Sequence, residues 1–407
     1  MRKHYFRKSS GDLIFTDTLE TINLNETAQF IYQGISESKD IQTIAKEMAA
    51  LYGVSAKEVS IDVAEMVKQF QALGIESVAG RTFNPHTVIL HIIQNCNSPC
   101  QLCDCWKTKE KVRHSYEELR PLIEWLATKD NKNVMVSGGE PLLHPEVQKI
   151  CTEINSLGMR VLLNTKGLLL HKAKWINSSA VSEVVVSMDG YDSNSYKVIR
   201  GIDGYERVWQ NIFELKQQNP NLTVSARLIL NKINLFNLPT IFAKAKELGV
   251  ARVGVSPLDI SSSSFGRTDM NQARSAKLQS QFLPNHKEID QFRSMLAGDL
   301  GGLIEKYFIE GLSDWSKLDY LRCLDYYEGT LNQVQTNNSD VCLFPINSMV
   351  IDYDGGLKPC FYSKSVTDIS NPEKYDEKYS QQIETLKTSG QCNNCRGKVF
   401  CDARISS

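Results

Sequence analysis

Residues 96–103 read Cys96-Asn97-Ser98-Pro99-Cys100-Gln101-Leu102-Cys103 and place three cysteines within eight positions. Clustered cysteine thiolates are the usual protein ligands of iron–sulfur clusters. A cubane cluster has four irons, so three cysteines leave one iron free to bind a ligand from outside the protein. A structural zinc site is the alternative, with Cys105 as its fourth ligand. The strongly apolar run 87–93 directly precedes this loop and favours the iron–sulfur interpretation, because zinc sites do not usually follow such a strand.

Strand and helix patterns alternate from residue 83 to about residue 258. Such alternation is typical of a parallel sheet covered by helices. Six strand patterns predict an α/β fold over residues 81–310, in the form of a partial (β/α)6 TIM-like barrel. In such barrels the chemistry lies at the carboxyl ends of the strands. The cysteine loop follows the first strand pattern, and the second is followed by Gly138-Gly139-Glu140-Pro141.

Together, the cysteine loop and the Gly-Gly-Glu-Pro motif resemble the radical S-adenosylmethionine (SAM) enzymes. One departure is Leu102, where the family usually has an aromatic residue. The resemblance implies that Cys96, Cys100 and Cys103 bind a [4Fe-4S] cluster whose fourth iron is chelated by SAM. It also implies the reaction, in which reductive cleavage of SAM yields a 5′-deoxyadenosyl radical that abstracts hydrogen from an unactivated carbon. The cofactors then supply the difficult chemistry, while the protein positions the substrate and excludes water.

The resemblance further implies that residues at the carboxyl ends of the strands contact SAM. Gly138 and Gly139 would let backbone carbonyls approach the SAM ammonium without an intervening side chain. Glu140 would add charge complementarity to the SAM ammonium or brace its loop. Arg200 is a candidate for binding the SAM carboxylate, with an exposed surface arginine as the alternative. The remaining expected SAM contacts are Asn164, Ser187 and Asp189.

Residues 1–80 are predicted to form a separate winged-helix-like domain, with short strands followed by three helices. DNA binding is an alternative for such a fold, but these helices carry as many acidic as basic residues and lack a basic face. The domain resembles the PqqD-like domains that recognise precursor peptides in peptide-modifying enzymes. The matching features are the strand pair, the run 52–59 and the start of the first helix at Asn25-Glu26-Thr27-Ala28. The resemblance implies that an extended leader peptide adds as a strand to an exposed sheet edge.

Residues 311–407 are predicted to form a small Cys-rich third domain that contains a hairpin with an Asp-Gly turn. Its cysteines are Cys323, Cys342, Cys360, Cys392, Cys395 and Cys401. A zinc ribbon is one interpretation. The arrangement also resembles the auxiliary-cluster domain of the radical SAM family, called SPASM in its long form and twitch in its short form. The resemblance implies at least one auxiliary iron–sulfur cluster, held by Cys342, Cys360, Cys392 and Cys395. In the alternative, an incompletely ligated pair of clusters also uses Cys401 and Cys323 as ligands.

Three other residues bear on the chemistry. Phe361 follows the second tail cysteine, where sulfatase-maturing relatives have an acidic residue, and this argues against that activity. Cys105 is interpreted as a thiol hydrogen donor, a spare ligand or a buried residue, and we favour burial. Cys151 lies in a helical pattern and is expected in the core.

Composition limits the possible partners. The chain has 407 residues, a formal net charge of −1 and no apolar run long enough to span a membrane, so neither nucleic acid nor a membrane is expected as a partner. No apolar signal segment follows the N-terminus. The 11 cysteines therefore indicate metal binding in a reducing cytoplasm.

Together, these resemblances imply a cytoplasmic radical SAM enzyme that binds a ribosomally synthesised precursor peptide and forms a thioether or carbon–carbon cross-link. Its expected reductant is a flavodoxin or a ferredoxin. The alternative among enzymes is a twitch-type dehydrogenase or epimerase whose substrate has no leader peptide. The alternative of a different class is a non-catalytic peptide-binding or zinc-structured protein.

Overall fold

The computed structural model describes residues 4–7, 12–15, 21–36, 39–73, 75, 87–107, 113–129, 131, 133–177, 179–260, 262, 264–267, 270–332 and 348–379. These residues form two compact units. The first contains the described residues up to 75, and the second contains those from 87 onward. The described tail residues belong to the second unit, and the predicted domain boundaries near residues 80 and 310 stay predictions.

The first unit is a small antiparallel sheet followed by three helices. Its strands pair in chain order and are β1 (His4–Arg7), β2 (Asp12–Phe15) and β3 (Thr21–Asn23). Its helices are α1 (Glu26–Ser36), α2 (Ile41–Tyr52) and α3 (Ala56–Ala72). The predicted order of short strands and three helices is confirmed, with three paired strands where a strand pair was expected.

Apolar residues at helical spacing explain why this unit forms one core. On α3, Val59, Val63 and Phe70 are buried on one face. Leu13 of β2 is fully buried in the same cluster. Gly53 ends α2 with φ 66°, a left-handed conformation that a residue without a Cβ adopts at little cost.

Six parallel strands form the centre of the second unit. Each pairs with the next in the chain, in the order β4 (Thr87–Ile93), β5 (Asn133–Gly138), β6 (Arg160–Thr165), β7 (Glu183–Ser187), β8 (Thr223–Leu230) and β9 (Val253–Pro257). β7 buries four of its five residues, as expected for a strand that is covered on both faces. The predicted α/β fold with a partial six-stranded barrel is confirmed.

Helices connect most of these strands and continue beyond the last one. Those between the strands are α4 (Tyr116–Ala127), α5 (Val147–Ser156), α6 (Ser193–Arg200), α7 (Tyr205–Gln218) and α8 (Leu238–Glu247). Those after β9 are α9 (Gln272–Phe282), α10 (His286–Ala297), α11 (Asp299–Ile309) and α12 (Lys317–Asn332). Among the helices that the structure describes, none is both long and apolar enough to cross a bilayer.

The tail extends the same sheet next to its first strand. β10 (Ser348–Ile351) pairs parallel with β4, and β11 (Gly356–Lys358) pairs antiparallel with β10. A short strand β12 (Thr367–Asp368) then pairs with β11. The predicted hairpin is confirmed, and its turn contains Gly355 with φ 81°.

Candidate active site

Two loops at the carboxyl ends of β4 and β5 contact each other through their backbones. The Gly139 amide donates to the Ile93 carbonyl at 2.7 Å, and the Glu140 amide donates to the Asn95 carbonyl at 2.9 Å. A Cβ atom at Gly139 would lie 2.1 Å from the Asn95 oxygen, and one at Gly138 would lie 2.2 Å from the Ile93 oxygen. Gly138 also has φ 144°, which favours glycine. The contact between the loops therefore requires both glycines, independently of the predicted role in SAM binding.

The Glu140 side chain is fully buried and holds the second loop in place. Its Oε1 accepts hydrogen bonds from the Thr165 hydroxyl at 2.7 Å and the Leu142 amide at 3.1 Å, and its Oε2 accepts one from the Lys166 amide at 2.9 Å. Hydrogen bonds to a charged acceptor are stronger than neutral ones. Of the two roles predicted for Glu140, these contacts correspond to bracing the loop, and contact with SAM stays a prediction.

Lys166 directly follows β6 and was not among the predicted site residues. Its Nζ donates to the Gly139 carbonyl at 2.6 Å and lies 3.9 Å from Glu140 Oε2, with the side chain only 8% exposed. Burial disfavours the charged form, but Glu140 and the thiols of Cys96 and Cys100 outweigh it and raise the pKa of Lys166. A buried positive charge therefore lies beside the cysteine loop. The sequence signal for it is a lysine directly after a buried strand, at the edge where barrel chemistry is found.

A second ion pair, between Arg200 and Asp189, also lies next to the cysteine loop. Arg200 Nη2 is 2.5 Å from Asp189 Oδ2, and the side chains are 13% and 2% exposed. Arg200 Nη1 lies 4.0 Å from Cys100 Sγ, and Asp189 Oδ1 accepts a hydrogen bond from the Ile229 amide at 2.6 Å. The alternative of an exposed surface arginine is therefore wrong. A contact between Arg200 and the SAM carboxylate stays a prediction.

The end of α6 is attached to the cysteine loop by several close contacts. The Ser98 hydroxyl donates to the Arg200 carbonyl at 2.7 Å, and the Gln101 amide donates to the Ile199 carbonyl at 3.0 Å. Gly201 ends α6 with φ 71°, and a Cβ atom there would lie 2.2 Å from the Pro99 oxygen. Residues far apart in the chain thus fix the position of the loop that carries the thiols.

The three thiols of this loop contact protein groups. Cys96 Sγ accepts a hydrogen bond from the Ser98 amide at 3.3 Å, and Cys100 Sγ is 3.5 Å from the Ser98 hydroxyl. Cys103 Sγ is 3.5 Å from the Phe265 carbonyl. Burial raises the pKa of Cys96, although Lys166 acts in the opposite direction. Among the described residues, no three Cys, His, Asp or Glu side chains form a preformed metal site.

The donor set of the loop nevertheless fits an iron–sulfur cluster. Three thiols follow one strand, and Lys166 and Arg200 carry positive charges that favour thiolates over thiols. The Oδ1 atoms of Asn95 and Asn97 are buried and have no hydrogen-bond partner within the described part of the chain. Buried polar atoms of this kind are suited to a bound polar ligand. The fit therefore rests on the chemistry of the donors and not on a preassembled geometry.

The other predicted SAM contacts lie at the same edge of the sheet. Asn164 is the second-last residue of β6, and its Nδ2 donates to the Ser137 hydroxyl of β5 at 3.0 Å. Ser187 is the last residue of β7, and Asp189 follows two positions later. The structure thus brings all the predicted site residues of the barrel to the carboxyl ends of strands β4 to β7 and to α6.

Two other cysteines are buried, as predicted. Cys105 is 2% exposed, and its Sγ lies 3.0 Å from the hydroxyl of Tyr353 in the tail hairpin. Cys151 is fully buried in α5, and burial raises the pKa of its thiol to about 12. Next to Cys105, Trp106 Nε1 donates to the Cys103 carbonyl at 2.9 Å and attaches this side chain to the cysteine loop.

The structure describes two of the six tail cysteines. Cys323 is fully buried in α12, and Cys360 follows β11 with its amide donating to the Ser363 hydroxyl at 3.2 Å. The other predicted ligands lie outside the described residues and are Cys342, Cys392, Cys395 and Cys401. The auxiliary cluster stays a prediction.

Two known families match parts of the chain. Residues 90–245 match the radical SAM superfamily, and residues 13–75 match coenzyme PQQ synthesis protein D (PqqD). The first match includes the cysteine loop, the Gly-Gly-Glu-Pro loop and both buried ion pairs, and the second includes all three helices of the first unit. Residues that match the radical SAM superfamily are thus preceded by residues that match PqqD, and the predicted resemblance to these two families is confirmed.

Curated relatives match this chain at low identity. Fe-coproporphyrin III synthase of Methanosarcina barkeri is 26% identical over 171 residues, which cover 41% of this chain and 42% of the relative. AdoMet-dependent heme synthase of the same organism is 29% identical over 174 residues, which cover 40% and 48%. A heme synthase of Oleidesulfovibrio alaskensis is 22% identical over 76% of this chain and 80% of its own length. The chain thus spans less than half the length of the first two relatives.

Solved structures share the fold over more of the chain. Streptococcus suis SuiB bound to S-adenosylmethionine is 12% identical with a TM-score of 0.54, and the match covers 98% of this chain and 95% of SuiB. SuiB bound to its precursor peptide SuiA is 14% identical with a TM-score of 0.50, covering 99% and 96%. Native anSMEcpe with bound AdoMet is 17% identical with a TM-score of 0.51, covering 79% and 92%. At these identities the likeness shows the fold.

Proposed function

We propose that this protein is a radical SAM enzyme that modifies a ribosomally synthesised precursor peptide. The observation that carries the proposal is the cysteine loop after β4, with its three thiols and a buried cation beside two of them. In this proposal Cys96, Cys100 and Cys103 hold a [4Fe-4S] cluster, and SAM completes its coordination. The match to the radical SAM superfamily supports this assignment.

When bound, the cluster and SAM supply one-electron cleavage of a carbon–sulfur bond and thereby a carbon radical that removes hydrogen from the substrate. The protein's own residues bind and orient these groups. Gly138 and Gly139 keep the loop backbone close to the cysteine loop, and Glu140 holds that backbone rigid. We assign SAM contacts to Asn164 and Ser187 at the strand ends, and to the ion pair of Asp189 with Arg200. Rigid positioning of this kind is how a protein directs cofactor chemistry.

We assign recognition of the substrate to the first unit. It matches PqqD over residues 13–75, and SuiB, a protein of similar fold, was solved with a bound precursor peptide. The unit also contains a three-stranded antiparallel sheet, and a sheet with edges accepts an extended peptide as a further strand. In this proposal the leader peptide binds there, while the segment to be modified enters the barrel.

We further propose that the product is a thioether or a carbon–carbon cross-link. Such a bond forms when the substrate loses two hydrogen atoms, one to the deoxyadenosyl radical and the other as a proton and an electron. The electron requires an acceptor, and an auxiliary cluster on the tail cysteines would provide it. A flavodoxin or ferredoxin would reduce the first cluster.

To test this function, the genes beside this one are searched for a short open reading frame, and the peptide that it encodes is used as the substrate. Reconstituted protein, SAM and a reductant are incubated with the peptide under anaerobic conditions, and the product is analysed by mass spectrometry. We expect the peptide to lose two hydrogen atoms with the wild type and to stay unmodified with the Cys96→Ala variant. Cys151→Ala is the matched control, because it removes a buried cysteine outside the loop. An unmodified peptide that also fails to bind the full chain would contradict the proposal.

A second candidate is a dehydrogenase or epimerase on a substrate without a leader peptide. The curated relatives named heme synthase and GTP 3′,8-cyclase favour a substrate of this kind, because neither name refers to a peptide. Removing residues 1–80 distinguishes the two functions, since these residues include the whole described part of the first unit. Activity that survives the deletion supports the second candidate, and activity that requires the deleted residues supports peptide recognition.

A further inference from the structure

Lys166 presents a buried charge that the local hydrogen bonding does not explain. Its side chain is 8% exposed, and burial of a cation is costly unless the charge has compensating partners. Its neighbour Glu140 already accepts hydrogen bonds from the Thr165 hydroxyl and from the amides of Leu142 and Lys166. The ammonium is therefore not needed to satisfy the carboxylate. A neutral donor would equally well satisfy the Gly139 carbonyl, which accepts from Lys166 Nζ at 2.6 Å.

The ammonium lies beside the cysteine loop. It donates to the Gly139 carbonyl, and the Gly139 backbone packs against Asn95, the residue before Cys96. In accord with this position, the charge of Lys166 acts to lower the pKa of Cys96, although burial raises it overall. Arg200 provides a comparison, because it too lies beside the cysteine loop but forms a 2.5 Å ion pair with Asp189. The closest oxygen of Glu140 is 3.9 Å from Lys166 Nζ, beyond hydrogen-bonding distance. Lys166 is thus the more weakly neutralised of the two cations.

We propose that Lys166 is a positioning residue that raises the reduction potential of the cluster bound by the cysteine loop. This inference rests on the proposed function, since it requires that the loop binds the cluster. Reduction adds one negative charge to a cluster, and a fixed cation nearby stabilises the reduced form more than the oxidised one. The low exposure of the side chain limits screening by solvent.

The test is an anaerobic redox titration of the reconstituted protein, followed by electron paramagnetic resonance of the reduced cluster. Lys166→Gln removes the charge while retaining a donor for the Gly139 carbonyl. At a fixed potential we expect its ratio of reduced to oxidised cluster to fall about tenfold, which corresponds to a shift of about 59 mV for one electron. Lys166→Arg keeps the charge and should stay within about twofold of the wild type.

Lys149→Met is the matched control, because Lys149 is 53% exposed and pairs with Glu117 at the surface. Its potential should equal that of the wild type. The inference is overturned if Lys166→Gln binds the wild-type amount of iron and titrates at the wild-type potential, or if Lys166→Arg shifts as far as Lys166→Gln. Failure of the proposed function has a different signature, in which the wild type itself binds no cluster or releases no deoxyadenosine from SAM.

Discussion

Replacement of Gly139 with alanine perturbs the contact between the cysteine loop and the Gly-Gly-Glu-Pro loop. The added methyl group would lie 2.1 Å from the Asn95 oxygen and 2.2 Å from the Gln94 oxygen. Because both neighbours are backbone atoms, the loops must separate. Separation disrupts the hydrogen bonds from Gly139 to Ile93 and from Glu140 to Asn95, each worth about 1 kcal/mol. Overpacking adds about 1–3 kcal/mol, so the free energy of unfolding should fall by about 3–5 kcal/mol.

Urea denaturation of the full chain, monitored by circular dichroism, measures this loss in the unfolding transition of the second unit. Iron content after reconstitution provides a second readout, which should fall because the displaced loop carries the thiols. Gly302→Ala is the matched control, since a Cβ atom there meets nothing within 4 Å and alanine stabilises a helix by up to about 1 kcal/mol relative to glycine. The reasoning is refuted if Gly139→Ala matches Gly302→Ala in both unfolding midpoint and iron content.

Two further predictions concern buried acids. Glu140→Gln replaces a buried carboxylate that accepts three hydrogen bonds and lies 3.9 Å from the Lys166 ammonium, and it should cost about 3–5 kcal/mol of unfolding free energy. Glu124→Gln, in an exposed pair with Arg120, should cost less than about 1 kcal/mol, and equal losses in the two variants would contradict the buried pairing. Burial raises the pKa of Asp314 to about 6 in the folded state. Because its unfolded pKa is about 4, the folded state binds this proton more tightly, and the stability contributed by Asp314 falls by about 3 kcal/mol in all as pH rises from below about 4 to above about 6. Asp314→Asn should therefore become more stable relative to the wild type over that range, and a difference in urea midpoint that does not vary with pH would argue against it.

The barrel strands could be predicted because each is a short apolar run bounded by polar turns. The run 183–187 is an example, and all six predicted strands are present. The hairpin that contains Gly355 was predictable for a similar local reason, since an Asp-Gly turn specifies its own geometry. By contrast, nothing local specifies that β10 pairs with β4, because tertiary packing decides which strand adds beside the first strand of the barrel.

The types of residue that form the site could be predicted from the sequence, but the contacts between them could not. The thiols and the glycine loop form motifs in the sequence, whereas Lys166 acquires its position from Gly139 and Glu140, which are distant in the chain. The glycines were expected to leave space for a ligand, and the structure adds that their missing Cβ atoms leave space for carbonyls of the cysteine loop. The burial of Arg200 could not be predicted from the sequence either, because it depends on Asp189 and on the end of α6.

Release of 5′-deoxyadenosine from SAM by the anaerobically reconstituted protein tests the central claim most directly. The wild type and Cys151→Ala should bind iron and release deoxyadenosine when a reductant is added. The combined variant Cys96→Ala, Cys100→Ala and Cys103→Ala should release none. Zinc bound by these three cysteines without any release, or release from the combined variant at the wild-type rate, would contradict the account.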